Sequence, residues 1–165
     1  MVLTIELATP EDAAVVAALR VAAADDLTAR HGYGHWSSLA SERGVIASMK
    51  HSQVWIARQD GEIVATLRLA TKKPWAIDAR YFTPRTRPIY LTDMAVHPRH
   101  QRQGVGRQTV EHACDAARDW PGDGIRLDAY DAPAGAGPFY EKCGFREVGR
   151  AEYRGTPLIY YEFLL

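Results

Sequence analysis

The chain has 165 residues, 47% hydrophobic and 24% charged, the composition of a globular chain with material for one core. Lysine plus arginine equals aspartate plus glutamate at 20 each, and no dense basic run occurs, which argues against a nucleic-acid partner. No apolar stretch is long enough to cross a bilayer and the first residues are not a signal peptide. The two cysteines, Cys114 and Cys143, form neither a disulfide framework nor a C-x-x-C pair. The expectation is one domain over residues 1–165, cytoplasmic, with reduced thiols and no membrane partner.

Residues 2–7 alternate as a strand does. Thr9-Pro10-Glu11-Asp12 then supplies an N-cap, a proline in the first turn and early acids, predicting a helix over about 13–27. His31-Gly32-Tyr33-Gly34 breaks it, and a second helix is expected over 37–50. Residues 53–58 and 62–70 read as strands joined by Asp60-Gly61, a hairpin signal. Residues 71–88 form a long segment with Pro74, Pro84 and Pro88 and several aromatics, and loops of that length are often functional. An apolar strand follows over 89–96. A helix over about 104–119 carries an apolar stripe of Val105, Thr109, Val110, Ala113, Cys114 and Ala117. Further strands are expected at 124–130, from 145, and at 158–165, with a short helix over 132–142. The order is mixed α/β, and a helix between the strands at 89–96 and 124–130 makes those two parallel.

The segment richest in chemistry runs Ala95-Val96-His97-Pro98-Arg99-His100-Gln101-Arg102-Gln103-Gly104-Val105-Gly106-Arg107. A strand ends, a polar loop follows, and a helix opens on two glycines. Amides at a helix start lack internal partners and carry partial positive charge, which makes an anion site. Glycine at 104 and 106 removes the Cβ atoms that would hold a diphosphate away, and Arg102 and Arg107 add positive charge. Spacing alone leaves open both phosphate binding and a plain glycine-opened helix. Neither a P-loop G-K-[ST] nor the third glycine of G-x-G-x-x-G is present, because position 109 is Thr.

The run Ala95-Val96-His97-Pro98…Gln101-x-x-Gly104-x-Gly106 resembles the acetyl-CoA motif of the GNAT superfamily of N-acetyltransferases, whose pattern is Q/R-x-x-G-x-G/A. Downstream, Phe139-Tyr140-Glu141-Lys142-Cys143-Gly144-Phe145 resembles that family's second signature. The two motifs stand in the right order, and the order of elements matches over nearly the whole chain. One departure is Pro133, seven residues before Tyr140, where family members often carry Asn.

The resemblance implies a mixed, mostly antiparallel α/β sheet of about six or seven strands flanked by about four helices. Its central parallel pair, the fourth and fifth strands, would be splayed to admit CoA. It implies that acetyl-CoA is the co-substrate. Met94, Ala95 and Val96 would meet its pantetheine arm, and Gln101, Arg102, Gln103, Gly104, Val105, Gly106 and Arg107 its pyrophosphate. It further implies an acceptor amine that attacks directly and Tyr140 as general acid, a phenol with an ordinary pKa of about 10. For the base, Asp93 on the fourth strand, one residue before the implied bulge, is the first candidate, with Asp128 and Asp131 as alternatives. The expected partners are acetyl-CoA and a small amine, and a homodimer is consistent with the family.

His97 and His100 have H-x-x-H spacing but no third ligand, so no metal is expected. Cys143 and Cys114 read as packed thiols. The acceptor is expected to meet residues 31–36 and 73–88, where Trp75, Tyr81 and Phe82 occur beside Arg80, Arg85 and Arg87. That grouping suggests an apolar body with an acidic group. Rival readings are transfer of another short acyl group, a non-catalytic acyl-CoA-binding module, and an interaction domain without a ligand.

Overall fold

The computed structural model describes residues 2–165. In chain order the elements are β1 (Leu3–Leu7), α1 (Ala13–His31), α2 (Glu42–Ser48), β2 (Gln53–Gln59), β3 (Glu62–Ala70) and β4 (Pro88–Val96). They continue with α3 (Val105–Asp119), β5 (Gly124–Tyr130), α4 (Gly137–Lys142), β6 (Arg146–Tyr153) and β7 (Thr156–Leu164). Single 3₁₀ turns sit at Pro10–Asp12, Ala79–Tyr81 and Pro98–His100. The strand order is β1-β2-β3-β4-β5-β7-β6, seven strands, and β4 and β5 are the parallel pair expected from the sequence. The β4–β5 register covers Pro88↔Gly124, Ile89↔Ile125 and Tyr90↔Arg126 and ends there.

Two compact units divide the chain. The first comprises the residues up to Leu69 together with Thr92–Ala113; the second comprises Ala70–Leu91 and Cys114–Leu165.

In the first unit, β1 and β2 pair antiparallel, and so do β2 and β3. Asp60 and Gly61 at the β2–β3 turn have φ of +52° and +81°, the left-handed pair that a two-residue hairpin needs. Helix α1 opens where the Thr9 amide donates to the Asp12 carboxylate at 2.9 Å. It buries Ala13, Val16 and Ala17 against Val45, Val54 and Ile56. It outlasts its expected end by four residues. Arg30 pairs with Asp26, basic residues suit the last turn, and the chain leaves through Gly32 at φ +82°. Helix α2 starts later than expected because Ser37 is used elsewhere. Its hydroxyl bonds Thr28 Oγ1 at 2.6 Å and accepts the Gly34 amide, so Ser41 becomes the cap and accepts the Gly44 amide. Val105, the first residue of α3, packs with Ala57, Val64 and Ala65, which fixes where that helix begins.

In the second unit, β7 pairs antiparallel with both β5 and β6. The segment at 71–88 is long but well anchored. Ile77 and Phe82 pack with Tyr90, Leu158 and Tyr160. The Thr83 amide and hydroxyl donate to the buried Glu162 carboxylate at 2.9 and 2.6 Å, which Arg146 also meets at 2.7 Å. Helix α4 is shorter than expected. Gly135 lies so close to the Tyr130 carbonyl that no side chain fits there, and residues 132–136 form turns rather than helix.

Candidate functional site

The turn read from the sequence has the backbone that anion binding requires. At the end of β4 the His97 amide donates to the Val64 carbonyl at 2.8 Å, and a 3₁₀ turn follows. Burial, with Arg99 and His100 nearby, lowers the His97 pKa, and its Nδ1 accepts the Arg99 amide at 3.2 Å. Gln101 ties the loop back by donating from Nε2 to the Val96 carbonyl at 3.0 Å, and Gln103 does the same to Arg99. Arg102 and Gly104 then adopt φ of +61° and +84°. Left-handed residues in such a turn swing successive amides toward one concave side. Helix α3 takes up its ladder when the Gln108 amide donates to the Gly104 carbonyl at 3.1 Å, so the amides ahead of it lack a helical acceptor.

The residues present fit a diphosphate at this place. A Cβ placed on Gly104 would meet only the Gln108 side chain, at 3.8 Å, so the front of the turn is open. Arg102, Gln103 and Gly104 are exposed, while Val105 and Gly106 are buried and anchor the turn from behind. Arg107 is exposed but shares its charge with Glu111, one helical turn on, at 3.1 Å. Met94, Ala95 and Val96 are half-buried on the last stretch of β4.

Asp93, also in this unit, has neighbours that sequence reasoning missed. It sits inside β4 with φ of +55°, a conformation rare for a residue with a side chain. A strand cannot keep its alternation through such a residue, so the irregularity expected just after Asp93 falls on Asp93 itself. Its carboxylate is gripped on both sides: Arg20 of α1 donates to Oδ1 at 3.1 Å and Arg68 of β3 to Oδ2 at 2.9 Å. The available signal was Arg68, the lone charge in the run from Ile63 to Ala70.

In the second unit, Tyr140 of α4 is only 6% exposed. It packs edge-on against Phe139 and Phe145, with ring centroids 5.1 and 5.6 Å away. Burial pushes its pKa up, with Cys143 and Asp128 adding to the rise, so the phenol holds its proton. Asp128 of β5 stands opposite Tyr160 in the β5–β7 ladder. Burial raises its pKa too, and no hydrogen-bond donor among the described residues reaches its carboxyl. Asp131, the remaining acid weighed from the sequence, pairs with Arg150 at 3.5 Å.

The aromatics and arginines of residues 73–88 do not act together. Arg80 is bound to Asp78 through three contacts of 2.7–3.2 Å. Arg85 lies along Gly124, and Arg87 donates to the Pro121 carbonyl. Trp75 and Tyr81 line a cleft that none of these arginines enters. The expected apolar-plus-acidic acceptor therefore loses its acid-recognising half.

Among the described residues no three His, Cys, Asp or Glu side chains are grouped to hold a metal ion, and no helix is long and apolar enough to cross a membrane. A mixed α/β sheet with a parallel central pair thus carries, after β4, a left-handed turn that opens a helix, a backbone arrangement suited to an anion. The family model for the acetyltransferase (GNAT) domain matches residues 50–147, and the chain belongs to that family of acetyltransferases. No curated protein matches the chain. Among solved structures, a GNAT-family acetyltransferase of Streptococcus agalactiae superposes with a TM-score of 0.81 at 14% identity, covering 99% of this chain and 95% of its own. The yncA protein of Salmonella typhimurium, solved with its cofactor acetyl-CoA, gives 0.72 at 16% identity over 98% and 93%. The ribosomal-protein-S18-alanine N-acetyltransferase of Escherichia coli gives 0.70 at 19% identity over 99% and 94%. At these identities the likeness is one of fold.

Proposed function

We propose that this acetyltransferase moves the acetyl group of acetyl-CoA to the primary amine of a small acceptor by direct attack. The observation that carries the reading is the turn at 101–107, where left-handed Arg102 and Gly104 precede the open amides of a 15-residue helix. Gln101, Arg102, Gln103, Gly104, Val105, Gly106 and Arg107 would hold the pyrophosphate, chiefly through backbone N–H groups, which bind an anion without needing a mobile side chain. Met94, Ala95 and Val96 would offer backbone groups to the pantetheine arm. When bound, acetyl-CoA supplies an activated thioester whose sulfur leaves as the new N–C bond forms.

The protein's own residues then have two protons to manage. The amine nitrogen must lose one and the departing sulfur must gain one. Tyr140 is assigned the second task because its phenol carries a proton at neutral pH; burial makes it a weaker acid than an ordinary phenol, so it gives the proton up only as negative charge develops on the sulfur. Asp128 is assigned the first. A carboxyl whose pKa is raised by burial is a better proton acceptor at neutral pH than an ordinary one, and its lone pairs are uncommitted. Asp93, the first candidate from the sequence, has each oxygen committed to an arginine, and we assign it to holding the β4 irregularity in place.

Isothermal titration with acetyl-CoA tests the reading, with Gly104→Glu beside the wild type. Binding by the wild type that weakens at least about tenfold in the variant is expected, because a carboxylate would meet the diphosphate. A folded wild-type protein that fails to bind acetyl-CoA would overturn it.

A further inference from the structure

The second unit carries a cleft that the donor site leaves unused. It has a volume of about 650 Å³, in the range that admits a small molecule. Trp75, Ala76, Ile77 and Tyr81 form one side, and Glu152 and Tyr153 of β6 with Tyr160 of β7 form the other. The inner wall is rigid. The Tyr160 hydroxyl donates to the Ala76 carbonyl at 2.5 Å and accepts the Asp78 amide at 3.3 Å, so it is used in fixing the segment and only the ring faces the cleft. Tyr81 meets that ring edge-to-face, 5.3 Å between centroids. Tyr81 also lies across β6 at Gly149, where any side chain would collide with its ring.

Trp75 is 84% exposed and Tyr81 is 42% exposed. Folding gains little from leaving an indole in water, whereas a flat ligand gains a face to stack on. The charges around the cleft are mostly spoken for. Asp78 is neutralised by Arg80. The Lys73 ammonium donates to the carbonyls of Pro74 and Ile77, and the Arg154 guanidinium lies over the Tyr153 ring. Glu152 is the one lining carboxylate without a partner among the described residues, placed at the exposed rim where a protonated amine would arrive. Tyr160, at the inner end, is the ladder partner of Asp128, the residue assigned to take the amine's proton.

We propose that this cleft is the acceptor site and that the acceptor is a primary amine borne on a flat aromatic body, an arylalkylamine in class. The proposal rests on the acetyl-transfer reading. Aromatic walls sort such a molecule from aliphatic amines by stacking, and Glu152 draws in its ammonium form.

The test uses thiol release from acetyl-CoA with phenethylamine and tryptamine against butylamine and spermidine, on wild type, Trp75→Ala and Glu152→Gln. The same proteins are titrated calorimetrically with phenethylamine and, separately, with acetyl-CoA. The aromatic amines are expected to show kcat/KM at least about tenfold above the aliphatic ones. Trp75→Ala should raise KM and Kd for phenethylamine about tenfold with kcat and acetyl-CoA affinity unchanged, and Glu152→Gln should raise them about threefold. Equal use of butylamine or spermidine, no calorimetric binding of phenethylamine by the wild type, or binding indifferent to Trp75→Ala would each overturn the proposal. Any of these alongside intact acetyl-CoA binding leaves the donor reading standing; loss of acetyl-CoA binding itself strikes the donor reading instead. Trp75 is a surface residue, so its variant is expected to fold.

Discussion

Asp93 on β4 and Asp128 on β5 are both half-exposed or less, both aspartates, and both on strands that pair in parallel, yet their surroundings are opposite. Asp93 has an arginine on each oxygen and a backbone turned left-handed. Asp128 has no donor on its carboxyl and is desolvated enough to raise its pKa. A carboxylate between two guanidiniums makes a charge-assisted hydrogen bond on each side and contributes to holding structure. A carboxyl buried without a partner destabilises the fold whenever it is ionised, and a residue kept under that cost is a candidate for chemistry. On the proposed reading, the same residue type serves structure in one place and proton transfer in the other.

The comparison is broken most readily through the rate. Asp128→Asn removes the proposed base, and thiol release with a competent amine should fall about a thousandfold, within the span of general acid–base catalysis. Tyr140→Phe should cost less, about a hundredfold, because a thiolate is a tolerable leaving group while an ammonium cannot attack at all. Steady-state kinetics on both variants, with acetyl-CoA affinity measured in parallel, check the ranking. If Asp93→Asn costs more than Asp128→Asn at unchanged acetyl-CoA affinity, the roles are reversed.

Stability sharpens the contrast because the two aspartates should move it in opposite directions. Asp93→Ala loses two charge-assisted hydrogen bonds and puts alanine at positive φ, an expected cost of about 2 kcal/mol. Asn tolerates that backbone better, so Asp93→Asn should cost about 1 kcal/mol. Urea unfolding of the three proteins measures the differences. For Asp128 the folded pKa lies above the unfolded value of about 3.9. Between the two values the unfolded chain has released a proton that the folded chain retains, so stability falls as pH rises through that window. Asp128→Asn should therefore melt higher than wild type at neutral pH, with the gap closing below about pH 4. Thermal melts across pH show it; a lower melting temperature for the variant at pH 7 would mean that Asp128 is paired after all.

What could be read from the sequence divides along the same line. The helix start at 104–106 was legible because its signal is local: the glycines and the helix they open lie within a few consecutive positions, and backbone needs show in residue type. The hairpin at Asp60-Gly61 was legible for the same reason. The setting of Asp93 was not, since Arg20 and Arg68 lie 73 and 25 residues away. Helix starts moved where a partner outside the helix intervened, as when Thr28 claims Ser37 or the Tyr130 carbonyl crowds Gly135, because residue type shows the cap but not its competitor. The cleft was half legible: its aromatics were visible, but only the folded segment separates them from the arginines beside them in sequence.

The most direct measurement is the pH dependence of kcat for thiol release from acetyl-CoA, with one amine, on wild type, Asp128→Asn and Asp93→Asn. The amine's own titration is common to all three, so differences in shape report the protein. The account predicts that Asp93→Asn keeps the wild-type profile at a modestly changed rate, while Asp128→Asn is slow and loses the acidic inflection. A profile that survives in Asp128→Asn and disappears in Asp93→Asn would contradict it.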